Sequence, residues 1–159
     1  MARLFSTETI TTCQLLLFGL RRIPLIFFCR PQVISLSDHT LEVKIKLNRR
    51  TKNHLNSMYF GVLSVGADVT GGFLAMKYIR SSNLKISLIF KDFHADFHKR
   101  AEGDVHFICN EGEKIKQLIN KAASTGERAN IPINIIASVP SISTDPVAKF
   151  ILTLSLKKK

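Results

Sequence analysis

The residues from Met58 to Ile79 are apolar on almost every side of a helical projection. A helix without a polar face has to be buried, because an exposed helix keeps a polar stripe toward water. Gly66, Gly71 and Gly72 lower helix propensity but permit close approach of neighbouring backbone. The segment is just long enough to span a bilayer, but Asp68, the glycines and the strand-like sequence around it argue against that. We therefore predict a buried central helix over residues 58–79.

Sequence on both sides of this helix alternates between apolar and polar residues with the period of two that marks half-buried strands. Consecutive strands with short connections favour antiparallel pairing. We predict an α+β fold in which a curved antiparallel sheet wraps around the central helix, in a single domain over residues 1–159, with residues 1–35 as an N-terminal helix and lead-in. The predicted strand regions are 41–48, 83–97, 104–109, 131–135 and 150–157, with a short amphipathic helix at 110–125 and Gly126 as its cap.

The chain has a formal net charge of +11 and three widely spaced cysteines. An odd cysteine count without a CxxC motif predicts neither a disulfide framework nor a zinc site, so we expect a reducing, cytoplasmic location. The positive charge fits either solubility or an anionic partner. No nucleic-acid-binding motif is present, so we expect no nucleic-acid partner. The apolar stretches on either side of Arg21 and Arg22 are too short for a transmembrane span, which leaves an amphipathic helix or loose membrane-surface attachment.

Asp68 is the principal candidate for chemistry. A carboxylate is rarely placed on a helix with apolar neighbours on every side, because desolvation of its charge is costly. Such carboxylates mark functional sites; the structural alternatives are an Asp paired to a nearby Arg or one that faces a water-filled groove. Asn53 lies in the loop before the helix, and the helix start at Tyr59–Gly61 offers unpaired backbone N–H groups that favour a developing negative charge. An oxyanion donor, a positioning amide and a carboxylate base suffice for thioester hydrolysis.

The sequence around these residues resembles the signature of hotdog-fold acyl-CoA thioesterases of the phenylacetate-pathway type, and more closely the DUF4442 branch of that superfamily. The resemblance covers roughly residues 20 to 158. The segments that carry it are Asn53–Gly61, Val65–Asp68, Ile23-Pro24-Leu25, Arg30-Pro31, Gly71-Gly72 and Lys91–Gly103.

The resemblance implies a hotdog fold and a thioesterase for acyl-CoA or acyl-carrier-protein substrates without a cofactor. It also implies a homodimer or dimer of dimers, with Asn53 and the helix start from one subunit and Asp68 from the other. Asp68 would be base or nucleophile, and the backbone N–H groups of Phe60 and Gly61 would hold the oxyanion. The remaining candidates are Ser87 as an assisting hydroxyl, and Asn56, Tyr59, Arg49, Arg50 and Lys52 as substrate contacts.

Phe60 departs from the pattern of the better-known enzymes, which have His-Gly-Gly where this chain has Tyr59-Phe60-Gly61. The bulk of Phe60 favours an alternative function, a non-catalytic module that binds an acyl chain or lipid. A second pattern, the alternating row Asp92, His94, Asp96 and His98, would share one face of a strand. Ligands in a line rarely converge on one ion, so we expect a solvated or subunit-facing surface and no metal.

Overall fold

The computed structural model describes residues 6–159, so the first five residues of the predicted N-terminal segment 1–35 lie outside it. Four helices and six strands make up the fold of residues 6–159. In chain order they are α1 (Thr7–Arg22), α2 (Pro24–Cys29), β1 (Gln32–Leu36), β2 (Leu41–Ile45), α3 (Phe60–Ser81), β3 (Ile86–Phe97), β4 (Val105–Cys109), α4 (Gly112–Thr125), β5 (Ala129–Val139) and β6 (Ser143–Lys158).

The six strands form one curved antiparallel sheet in the order β1-β2-β4-β5-β6-β3. Register shifts that mark β-bulges interrupt β1 between Val33 and Ser35 and β3 between Phe90 and Phe93. Bulges bend a strand and increase its twist. The α+β prediction is confirmed, with a sheet wrapped around the long apolar helix.

Helix α3 packs into the concave face of this sheet. Ala67 and Leu74 on the helix are fully buried, and so is Phe107 on β4. A Cβ atom on Gly66 would lie 2.3 Å from the Phe107 ring, so only glycine permits this helix–sheet contact. The helix is long and apolar enough to cross a membrane, but 67% of its most apolar window is buried inside the fold. This burial identifies α3 as the core helix.

Several boundaries differ from the prediction: β5 is longer than residues 131–135 at both ends, and β6 begins at Ser143 instead of residue 150. Helix α3 begins at Phe60 and ends at Ser81, so it is shifted by two residues toward the C-terminus relative to the predicted range 58–79. Strand β1 was not predicted: Val33 is its only buried residue, so the strand lacks the alternating pattern of burial. Gly126 takes the left-handed conformation (φ 70°) after α4, as its predicted role as a C-cap requires.

Helices α1 and α2 form a hairpin that packs beside α3 and β1. Pro24 occupies the first turn of α2, where its missing N–H costs nothing. Gly19 permits the close contact between the two helices, because a Cβ there would meet the Phe27 backbone nitrogen at 2.8 Å. The Thr12 hydroxyl oxygen accepts a hydrogen bond from the Val33 N–H at 2.9 Å. The hairpin therefore covers part of the β1 edge of the sheet.

Candidate active site

Asp68 lies in the middle of α3 with its side chain only partly buried. Among the described residues, no hydrogen-bond donor or cation contacts its carboxylate. Burial raises the pKa of the Asp68 carboxyl above its ordinary value, because a low-dielectric surrounding disfavours the charged form. The structure therefore excludes one structural explanation, an Asp paired to an Arg within the protomer.

The Asp68 side chain faces a cavity of about 540 Å³. Apolar side chains from α1, α2, α3 and β3 supply most of its wall, with Arg80 and Lys159 among the few charged groups. Ser87 also lines this cavity, and its hydroxyl donates a hydrogen bond to the Lys157 carbonyl oxygen at 3.1 Å. Asp68 and Ser87 are thus brought to one cavity, which we call the mid-helix cavity.

The start of α3 supplies fewer free backbone donors than the sequence predicted. The Tyr59 N–H donates to the Thr51 carbonyl oxygen at 2.8 Å, because the preceding loop folds back against the helix start. Phe60 and Gly61 are the first two residues of the helix, where an N–H has no intrahelical acceptor. Those two N–H groups remain as candidate oxyanion donors, and the Tyr59 N–H does not.

Asn53 braces the loop that leads into α3. Its side-chain oxygen accepts hydrogen bonds from the N–H groups of Leu55 and Ser57 at 2.9 and 3.2 Å. Its side-chain NH₂ donates to the Ser57 hydroxyl at 3.1 Å, which leaves one of its two hydrogens free. Asn53 therefore fixes the approach to the helix start and retains one donor for a ligand.

A second cavity of about 360 Å³ lies at the start of α3, and we call it the helix-start cavity. Asn53 and Phe60 line it, and so do Lys99 and Arg100, which the sequence analysis missed. Lys99 pairs with Asp145 at 2.8 Å, so its charge is partly neutralised. Arg100 is exposed. The Lys99-Arg100 dipeptide in the sequence is the signal that identifies this basic rim.

The two cavities share no lining residue. Phe60 and Asp68 are eight residues apart on one helix, which corresponds to about 12 Å along the axis. Strand β3 connects the cavities, because Ile86 and Leu88 line the mid-helix cavity and Phe97 lines the helix-start cavity. A single protomer therefore does not bring Asp68 to the helix start.

Four other predicted substrate contacts lie in the loop before α3 and line neither cavity: Arg49, Arg50, Lys52 and Asn56. Arg50 stacks over the Phe28 ring at 5.9 Å, and Lys52 Nζ donates to the Asn56 side-chain oxygen at 3.0 Å. Arg49 is exposed, and Tyr59 lines the helix-start cavity with its ring 4.8 Å from that of Phe60.

The remaining nucleophile and metal candidates are not arranged for chemistry. Burial raises the pKa of the Cys109 thiol to about 11, so its nucleophilic thiolate is scarce at neutral pH. The row from Asp92 to His98 is exposed, with Asp92, His94 and Asp96 on β3 and His98 directly after it. His94 and Asp96 form a pair with 3.4 Å between their side-chain nitrogen and oxygen. Within residues 6–159, no three metal-ligating side chains converge.

Comparison with known proteins places these features in a family. The model of a domain of unknown function, DUF4442, matches residues 14–143, which is most of the chain. The chain belongs to the DUF4442 family. Among curated proteins, no sequence matches this DUF4442 chain.

Solved structures share the fold of this DUF4442 protein. A Chlorobaculum tepidum protein of unknown function has a TM-score of 0.82 at 16% identity, over 96% of this chain and 98% of that one. A Pseudomonas aeruginosa protein described as a probable thioesterase has a TM-score of 0.76 at 21% identity, over 92% and 96%. A Haemophilus influenzae thioesterase has a TM-score of 0.67 at 13% identity, over 98% and 93%. The hotdog prediction is confirmed; identities this low show the fold alone.

Proposed function

We propose that this DUF4442 protein is a thioesterase that hydrolyses acyl-CoA or acyl-carrier-protein thioesters. The observation that supports it most is the unpaired Asp68 carboxylate, which is partly buried beside a largely apolar cavity of about 540 Å³. An apolar cavity with one convergent polar group is the usual form of a site for an apolar ligand. The structural likeness to proteins described as thioesterases supports the same reaction.

The proposed enzyme is a homodimer, or a dimer of dimers, joined through β3. This strand forms one edge of the sheet, and no described segment pairs with its outer side. A two-fold axis near the middle of β3 would align two copies antiparallel and extend the sheet. The Phe97 end of one strand would then lie beside the Ile86 end of the partner strand. That arrangement joins the helix-start cavity of one protomer to the mid-helix cavity of the other.

The proposed reaction adds water across the thioester. The N–H groups of Phe60 and Gly61 stabilise the negative charge that develops on the carbonyl oxygen. The Asp68 carboxylate of the other protomer accepts a proton from the attacking water, or attacks the carbonyl carbon itself to form an anhydride that water then hydrolyses. In both cases the C–S bond breaks, and the products are the fatty acid and the protonated thiol.

Charge on the carrier suits the basic rim of the helix-start cavity. CoA carries phosphates, and a protein carrier attaches its acyl group through a phosphopantetheine arm. Arg100 at the cavity, assisted by Lys99, is placed to contact such a phosphate. Arg49, Arg50 and Lys52 remain proposed contacts for more distant parts of the carrier. The acyl chain occupies the mid-helix cavity.

The decisive assay measures free-thiol release from a panel of acyl-CoA esters of increasing chain length. We expect turnover that depends on chain length and that falls by a factor of about 10² to 10⁴ in Asp68→Asn, because the amide keeps the shape but cannot accept a proton or attack. Asn53→Ala should lose less activity than Asp68→Asn, since Asn53 positions the loop and does not react. Full turnover in a well-folded Asp68→Asn protein would refute the role of Asp68.

Phe60 favours a second candidate function, an acyl-binding module without catalysis. Its ring is 59% exposed at the helix start and packs against the rings of Tyr59 and Phe97, where it restricts the approach of a carbonyl group. Saturable binding of acyl-CoA to the wild-type protein without thiol release at any chain length would establish this function instead of hydrolysis.

A further inference from the structure

Helix α1 carries an apolar surface on each of two opposite sides. Its inner side packs into the fold through residues at spacings of four, Thr11, Leu15 and Gly19. Its outer side also bears apolar residues, at alternating spacings of three and four that keep them on one face. We call these the outer stripe: Ile10, Cys13, Leu17 and Leu20, all exposed.

Exposed apolar side chains continue through the hairpin beyond α1. Ile23 at the junction is 42% exposed, and Leu25 and Phe28 on α2 are 58% and 50% exposed. Single exposed apolar residues need no explanation, but contiguous ones mark a contact surface. Six of the exposed large apolar side chains in residues 6–159 therefore come from one short hairpin.

Basic side chains border this apolar surface. Arg21 and Arg22 are exposed in the last turn of α1, and Arg30 follows α2 with its guanidinium 5.5 Å from the Phe27 ring. Arg50 adds a fourth positive charge from the loop after β2, stacked over Phe28. Glu8 is the single acidic residue of the hairpin. The surface is thus apolar in the middle and cationic at its border.

We propose that an N-terminal patch of this protein docks on a bilayer that contains anionic phospholipids. The patch comprises the outer stripe, Ile23, Leu25, Phe28 and the arginines 21, 22, 30 and 50. An interfacial helix buries its apolar face at the level of the headgroups, and cationic residues at its border contact acidic lipids. An anionic bilayer fits this patch better than a second copy of the chain does, because two such patches face to face would bring their arginines into repulsive contact.

The attachment is reversible and depends on salt. The hairpin is too short to span a bilayer, and its contact combines a limited apolar area with electrostatic attraction that mobile ions screen. A protein of this kind exchanges between water and membrane surface. Ile23 also lines the mid-helix cavity and Arg50 is also a proposed carrier contact, but the other patch residues lie outside both cavities. Variants of those other residues test docking alone, so failure of the docking proposal would leave the thioesterase proposal standing.

The first experiment is sedimentation of the full chain with phosphatidylcholine vesicles, with and without phosphatidylglycerol. We expect binding to the anionic vesicles that weakens as salt is raised, and little binding to phosphatidylcholine alone. Absence of binding to anionic vesicles at low salt would overturn the proposal.

Paired variants separate the patch from the general positive charge of the protein. Arg21→Glu with Arg22→Glu should reduce vesicle affinity by about tenfold or more, and Leu17→Ser with Leu20→Ser should do the same by removing apolar contact. The matched controls, Lys121→Glu with Lys149→Glu and Ile136→Ser with Ile142→Ser, alter exposed residues elsewhere. Equal losses in patch and control variants, at unchanged melting temperatures, would show non-specific attraction and overturn the proposal.

Cys13 permits a direct test of orientation. It lies in the outer stripe and is exposed, whereas Cys29 and Cys109 are buried. An environment-sensitive dye attached to Cys13 should shift its emission to shorter wavelength when anionic vesicles are added. No shift while the protein sediments with vesicles would place another surface at the membrane. A shift on raising protein concentration without vesicles, with a doubling of mass, would identify a second copy as the occupant and equally overturn the proposal.

Discussion

Asp68 is a titratable residue in surroundings that disfavour its negative charge. Burial raises the pKa of its carboxyl, so the folded protein retains the proton at a higher pH than the unfolded chain does. The unfolding free energy therefore decreases as pH rises from the unfolded pKa through the folded one, and stays reduced at neutral pH. A fold that tolerates this cost at one residue fits the trade-off between stability and activity at functional sites.

Asp68→Asn should stabilise the protein at neutral pH, because the amide removes the cost of burying a charge and fits the same space. We expect a higher melting temperature than wild type at pH 7 and a difference that shrinks as pH falls below the folded pKa of Asp68. Melting curves of both proteins across this range check it. A variant that melts lower at every pH would show instead that Asp68 is a structural anchor.

At the scale of single elements, the glycines of α3 divide into two kinds. Gly66 lies against Phe107, where a methyl group would overlap the buried ring at 2.3 Å. Gly72 lines the mid-helix cavity, where a methyl group would meet the Phe90 ring at an ordinary contact distance of 3.4 Å. The two positions share one helix, so substitution to alanine isolates the effect of close packing.

Gly66→Ala should lower the unfolding free energy by about 1–3 kcal/mol through overpacking. Gly72→Ala should raise it by up to about 1 kcal/mol, since alanine is the better helix former and nothing has to move. Denaturant unfolding of both variants measures the difference. Equal destabilisation by both substitutions would mean that α3 does not pack as tightly on β4 as the contact with Phe107 requires.

The elements that sequence predicted best are those whose side chains repeat a burial pattern. The all-apolar character of α3 and the alternation of β2 and β6 identify a helix within a sheet, and Gly126 ends α4 as predicted. Strand β1 escaped prediction because Val33 is its one buried residue, so its side chains show no period of two.

The site was predictable only in part, for a similar reason. Asp68 stands out in sequence because its neighbours are apolar. Two features of the site depend on contacts between separate segments of the chain. The Tyr59 N–H is used in a hydrogen bond to the Thr51 carbonyl oxygen, and Arg100 lies beside the helix start. No local pattern encodes such contacts.

On the scale of the whole molecule, the two edges of the sheet differ. At one edge, the Thr12 hydroxyl oxygen of α1 accepts a hydrogen bond from the Val33 N–H of β1. At the other edge, the twelve-residue strand β3 has no described partner on its outer side. Long open edges invite pairing with another chain. The proposed dimer uses this edge.

A proline at the bulge of each edge strand tests the choice of edge. Lys91 and Ile34 lie at the bulges of β3 and β1, respectively. Lys91→Pro should reduce the mass in sedimentation to that of one chain, 17.9 kDa, because proline cannot donate to a new ladder. Ile34→Pro should remain a dimer. The β3 interface would be wrong if Ile34→Pro alone dissociated or if wild type were a monomer at micromolar concentration.

A site divided between two protomers can be distinguished from a site within one protomer by mixing two inactive variants. Phe60→Pro removes one proposed oxyanion donor while it keeps the helix, since proline is favoured at the first helical position and Tyr59 before it is extended (φ −63°, ψ 135°). Phe60→Ala is the matched control, because it removes the same ring and retains the N–H. We expect Phe60→Pro to be inactive and Phe60→Ala to hydrolyse acyl-CoA.

Mixing inactive Phe60→Pro with inactive Asp68→Asn should then restore activity. In each mixed dimer one site combines both defects and the other site has neither, because the helix start and the carboxylate of a site come from different chains. Random exchange of equal amounts should return about a quarter of the wild-type turnover. The mixture is unfolded briefly and refolded to allow exchange, and thiol release is compared with each variant refolded alone. A refolded mixture that forms dimers and remains inactive would place Asp68 and the oxyanion donors in the same protomer, and the shared site would have to be abandoned.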